Sequence, residues 1–192
     1  MMKNRLITAA AIGGALVLPV AYSTLGQVPA AQEHSVVLMQ DSEDLGTREK
    51  PVPLGETFDV GEDWQVSVVT VDSNATADVL AENQFNDPPP AGRQFVLVRT
   101  TTKYVGEETG SPGFDLTYKF YGSKGNTYTT YDSDDSCGVI PNPLSEVNEL
   151  YPDAGGEGNV CFAVPADQID GGAVIVEELM DMSSDKSFFA IE

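Results

Sequence analysis

Short stretches in which apolar and polar residues alternate predict an all-β protein, an antiparallel sandwich of seven or eight strands. Two further observations support this. The 18 Gly and 12 Pro supply the turns that many short strands need, and no stretch of the exported part has the length and period of a useful helix. The chain has two cysteines, Cys137 and Cys161, 24 positions apart, and they are expected to form its one disulfide.

That pairing rests on where the chain goes. Met1 to Arg5 is positively charged, Leu6 to Val20 is an uncharged apolar run, and Val28-Pro-Ala30 offers the small residues that a signal peptidase reads. A signal peptide over residues 1–30 is expected, cleaved before Ala31. Leu6 to Leu25 also approaches the ~20 residues of a bilayer span, so retention as an anchor is the alternative. After cleavage no membrane insertion is expected. An extracellular or cell-surface location is oxidising, so the two thiols pair by default. In the chain-entropy picture, closing a loop of this length adds ~3 kcal/mol.

Charge narrows the partners. The chain of 192 residues carries a formal −20, and since Lys3 and Arg5 leave with the signal, the exported part has eight bases against 30 acids. Nucleic acid and anionic membrane are disfavoured. Such acidity suits a solvated protein outside the cell, a salty setting, or attraction for cations and basic ligands. Residues 31–53 read as a flexible acidic lead-in, interrupted by Val36-Val-Leu-Met39, which could dock as an extra edge strand. Residues 54–192, about 140 of them, then form one domain.

The elements follow in order. Gly55 to Val60 reads as a short strand, with a turn at Gly61 to Asp63. Trp64, Val66 and Val68 alternate with Gln65 and Ser67, but Val69 and Val71 are out of phase, so a bulge at Val68 to Val69 is expected. Ser73 to Gly92 is a long loop with a helical turn near Ala75 to Ala81. Arg93 to Val105 is the longest strand, with Val96, Val98, Thr100, Thr102 and Tyr104 on its core face. Phe95 and Leu97 make its first half apolar on both faces, so a cover is needed there, and the lead-in is one candidate. Phe114, Leu116, Tyr118 and Phe120 alternate inward, Gly122 to Asn126 is a hairpin turn, and Tyr128 to Tyr131 returns.

Asp132 to Asn148 is irregular, and a polar turn at Tyr151 to Glu157 leads into the cysteine strand. In that strand Val160, Phe162 and Val164 share one face, and Cys161 and Ala163 share the other. If the apolar triplet faces the core, the disulfide staples an outer layer and does not cross the two sheets. Ala173 to Leu179 and Phe188 to Ile191 are the last strands. The count and spacing are those of an immunoglobulin-like topology.

Three stretches together, Trp64 to Val71, Gly92-Arg-Gln-Phe-Val-Leu-Val98 and Gly158-Asn-Val-Cys-Phe-Ala-Val-Pro165, resemble small exported immunoglobulin-like domains of actinobacteria. That family of unknown function is related to the secreted immunoprotective antigen of mycobacteria. The resemblance covers about Val52 to Ile191, and the chain departs from it at Tyr104, where the family has Asn. It implies an exported, non-enzymatic sandwich of unknown ligand, often in Gram-positive envelopes, and supplies no catalytic residues.

The chemistry-bearing residues agree. The one histidine, His34, falls in the lead-in, so a Ser or Cys nucleophile has no well-placed base. Zinc lacks ligands for the same reason. Asp132, Asp134 and Asp135 are candidates for calcium, with Asp153 and Glu157 brought near by the disulfide, although the spacing matches no known calcium loop and an ordinary acidic turn is the alternative. Glycoside hydrolysis wants aromatic platforms, and Trp64, the one Trp, fits a strand core. Asn74-Ala-Thr76 marks an exposed loop. No enzyme activity and no cofactor is expected. The expectation is a binding module for an unidentified protein or envelope component, acting through Ser73 to Gly92 and Asp132 to Leu150. A calcium-dependent module and a structural spacer are the alternatives.

Overall fold

Alternation decides how the strands divide between two layers. The computed structural model describes residues 44–179 and 185–192. One sheet has the order β1 (Phe58–Val60), β2 (Trp64–Asp72), β3 (Arg93–Tyr104), β6 (Gly155–Pro165). The other has the order β5 (Thr127–Thr129), β4 (Leu116–Tyr121), β7 (Ala173–Glu178), β8 (Ser187–Phe189). All pairs within the sheets are antiparallel. The chain changes layer between β3 and β4, between β5 and β6, and between β6 and β7, the crossings of an immunoglobulin-like sandwich. The signal peptide, His34 and Val36 to Met39 lie outside the described residues. Among the described residues no helix is long and apolar enough to cross a membrane.

The inner faces supply the core. Trp64, Val66 and Val68 of β2, Val96 and Val98 of β3, and Val160, Phe162 and Val164 of β6 meet Leu116, Tyr118, Phe120, Val174, Val176 and Phe189 of the facing sheet. Phe120 and Phe162 touch across the layers with ring centroids 6.2 Å apart. The expected bulge is present: the β2–β3 register shifts between Val68 and Thr70, leaving Val69 unpaired and returning Val71 to the core side. The Gly122 to Asn126 turn closes as expected, with Gly125 at φ +89° and Gly122 N–H donating to the Asn126 carbonyl.

Four expectations need correction. Phe114 does not point inward and is 78% exposed, because Pro112 starts a single helical turn, α2 (Pro112–Asp115), whose Ser111 amide bonds to the Asp115 carboxylate at 2.7 Å. The described part of the lead-in, residues 44–53, is packed: Val52 is fully buried and exchanges backbone bonds with Phe188 and Ala190 along β8. The polar turn before the cysteine strand is shorter than expected, since β6 starts at Gly155. Its glycines admit a plug, for a Cβ at Gly158 would sit 2.5 Å from the Leu144 Cα, and Leu144 fills the core there.

The fourth correction concerns the outer face of β3. The described residues that cover Phe95 and Leu97 come from elsewhere than the lead-in. The cover is α1 (Thr76–Glu82) together with the disulfide loop: Ala75, Val79, Phe95, Cys137, Cys161 and Ala163 form a second buried cluster, with Leu97 and Ile140 against it. A helix of seven residues without a side-chain cap is too short to persist alone, so packing holds it. The Cys137–Cys161 bridge, Cα atoms 6.0 Å apart, lies on this outer layer, as the phase of β6 requires. Replacing both cysteines by Ser is expected to lower the unfolding free energy by about 3 kcal/mol in a urea melt. The strand signature in circular dichroism is expected to survive, because the larger core contains neither sulfur.

Candidate functional site

The two loops singled out from the sequence meet over the outer face of β3 and β6, where the disulfide ties the second of them to β6. Asn86 is the latch between them: its amide nitrogen donates to the Val79 and Val139 carbonyls, each at 2.7 Å, and its oxygen accepts the Val139 N–H at 2.9 Å. Ala75 N–H donates to the Phe95 carbonyl, and Phe95 N–H to the Thr76 hydroxyl, so the first loop is fastened to β3 by its backbone. The second loop runs beside β6, where Asn159 holds it by bonds to the Pro141 and Asn142 carbonyls.

Beside this joint lies a half-open cleft of about 340 Å³, at the small end of the range for ligand sites. Both cysteines and Ile140 form one wall, Pro112 and Leu144 another, and Tyr118 reaches into it from β4. Thr130, Ser136, Ser145 and Asn159 make the lining about as polar as apolar. Tyr131, 73% exposed, is part of this lining, and the exposed Phe114 and Val139 each follow a lining glycine, Gly113 and Gly138. One exposed hydrophobe is ordinary, but three about one concavity make a patch. Tyr118 is fully buried, so its phenol is pushed well above the usual tyrosine value, opposed in part by the hydroxyl of Thr100 at 3.4 Å.

The loop is anchored from below by an ion pair. Arg93 pairs with Asp135, donates to the Ala163 carbonyl at 2.9 Å, and lies over the Tyr128 ring at 5.4 Å. The other Asp135 oxygen accepts the Thr129 N–H at 3.1 Å, which covers the open edge of β5. The three calcium candidates are therefore placed differently from one another. Asp135 is turned inward to Arg93, whereas Asp132 bonds to the Asp134 amide in an exposed turn. Asp153 pairs with Lys103 and Glu157 with Arg99, each at 2.7 Å, so those two carboxylates are held against β3 and not against the aspartate loop. Lys103 also keeps the Asp153 carboxyl below the usual range. Among the described residues no group of three His, Cys, Asp or Glu side chains comes together to hold a metal.

A second recess, at one end of the sandwich, is lined by Asp63, Glu107, Glu108, Asp115 and Glu178 beside Trp64 and Tyr104. Burial raises the Tyr104 phenol, and the charge of Asp63 adds to the effect. The phase of the sequence shows that Phe95, Leu97, Cys161 and Ala163 share an outer face that needs covering. It does not show that Asn86 and Arg93 fasten the cover, because those bonds join residues 41 to 70 positions apart.

Two outcomes are expected. Arg93→Ala leaves Asp135 charged and poorly solvated and should cost about 3 kcal/mol. The double variant Arg93→Ala/Asp135→Asn should recover part of that in the same urea melt. Below about pH 10 Tyr118 is neutral whether folded or unfolded; above it the unfolded chain gives up a proton that the fold retains. Stability is therefore lost as pH rises beyond that value, and Tyr118→Phe should make this alkaline decline shallower.

No protein-family model matches the chain, and no curated protein matches it. Among solved structures it is similar to a conserved hypothetical protein from Bacillus anthracis, at 14% identity and TM-score 0.38, covering 70% of this chain and 96% of that one. It is also similar to an uncharacterized beta-sandwich protein from Clostridium difficile, at 10% identity and TM-score 0.45, covering 74% and 95%. A provisionally assigned lipoprotein from Bacillus subtilis is a third, at 17% identity and TM-score 0.44, covering 70% of this chain; this chain spans 38% of that protein.

Proposed function

We propose that this protein is an exported, non-enzymatic binding module that takes a protein or envelope component at the cleft beside its disulfide. The observation that carries the reading is the conjunction of a half-open recess with exposed Tyr131 in its lining and exposed Phe114 and Val139 next in sequence to the lining Gly113 and Gly138. Exposed aromatic anchors about a preformed concavity are the usual makings of a recognition surface. The disulfide suits an oxidising compartment, which is where the N-terminal signal read from the sequence directs the chain. The resemblance to exported actinobacterial domains points the same way, and the excess of acid argues against nucleic acid and anionic membrane as partners.

Deleting Ser73 to Gly92 is a poor test, because it strips α1 from the outer cluster. Exposed side chains serve better. A cross-linking pull-down with the Phe114→Ala/Tyr131→Ala variant should lose partners that the wild type retains. Tyr151→Ala, on another exposed aromatic, should keep them. If the cleft variant and the wild type retrieve the same proteins, this surface is not the binding site.

A further inference from the structure

Beside the cleft, the second loop carries charges of one sign only. From Lys124 to Lys186 the sequence contains no other Lys, Arg or His, so the whole second loop and β6 carry no cation of their own. Arg93, the base that reaches this region from β3, is spent on Asp135 and on the Asp134 and Ala163 carbonyls. Asp132 and Asp134 lie in the turn between Tyr131 and Ser136, both of which line the cleft, and Glu146 follows Ser145, which also lines it. All three carboxylates are exposed. Lys119, next to the lining Tyr118, is paired with Glu177, so the recess is a hollow of mixed apolar and polar lining next to which the exposed charges of the second loop are acidic.

Resting on the reading of this cleft as a binding site, we infer that its occupant is a basic protein segment: one bulky apolar side chain enters the recess, and flanking Lys or Arg side chains meet Asp132 and Asp134. The volume of about 340 Å³ suits one large side chain, and the exposed Tyr131 of its lining, with Phe114 next to the lining Gly113, offers apolar contact to the residues beside it. Charge complementarity at a rim sets partner choice and encounter rate more than affinity, and it weakens with salt. An acidic or anionic partner meets repulsion at the same rim.

The full chain is titrated with four capped pentapeptides, Lys-Lys-Trp-Lys-Lys, Ser-Ser-Trp-Ser-Ser, Glu-Glu-Trp-Glu-Glu and Lys-Lys-Gly-Lys-Lys, by calorimetry and amide chemical shifts. The first should bind tightest and shift the amides of Thr130 to Gly138 and of Ser145. Asp132→Asn/Asp134→Asn should weaken it about fivefold, as should added salt. If the serine-flanked peptide binds as tightly, the cleft reading stands and the basic partner is overturned. If the glycine peptide binds as tightly, diffuse surface charge replaces the cleft and the inference fails. If no tryptophan peptide shifts the cleft amides, the reading of the cleft fails with it.

Discussion

A pair of neighbouring strands with apolar side chains on both faces has to be covered twice, and this chain is built around meeting that demand. β3 and β6 run antiparallel over eleven residue pairs, from Arg93 with Pro165 to Lys103 with Gly155. Their inner faces are covered by the second sheet, as in any sandwich. Their outer faces, at the end holding Phe95, Leu97, Cys161 and Ala163, have no third sheet to meet. Bare apolar surface there would be unfavourable in water by ~25 cal/mol per Å². The chain answers with a short helix and a covalently tied loop, and the cleft is the space left where that loop turns back toward β4.

The same economy governs the sheet edges, which are otherwise templates for pairing with another chain. Residues 46–52 bond along β8, the Asn142 and Pro143 segment runs beside β6, and the Asp135 carboxylate occupies a donor of β5. Asp135 thus serves several demands at once, since it also holds Arg93 while its own carbonyl accepts the Ala163 amide at 2.8 Å. A residue that the sequence offers as a calcium candidate, with an ordinary acidic turn as the alternative, is engaged by Arg93 and the Thr129 amide in the structure. The distinction depends on which way one side chain faces, and the count of nearby acids carries no such information.

What the sequence made legible follows from what is periodic. The inward faces of β2, β3 and β6, the bulge near Val68, the Gly122 hairpin and the outward cysteine all follow from the two-residue period, which a single chain displays openly. Phe114 continues that period by coincidence, and Pro112 two residues earlier overrides it. The packed 44–53 segment was misread because its value lies in backbone bonds to β8, and backbone bonds leave little trace in composition. The candidate site was half legible. Both loops were named, but their meeting through Asn86 is a long-range contact between irregular segments, where no period exists to be read.

Because both half-cystines are themselves wall of the recess, the hollow is not finished when the strands have paired. Without the bridge, the roof over Phe95 and Leu97 is held only by non-covalent contacts: the bonds of Asn86, those of Ala75 and Thr76 to Phe95, and the Arg93 to Asp135 pair. Oxidation of the two thiols is then the step that fixes the shape of this wall, so the geometry of the recess depends on the redox chemistry around the chain.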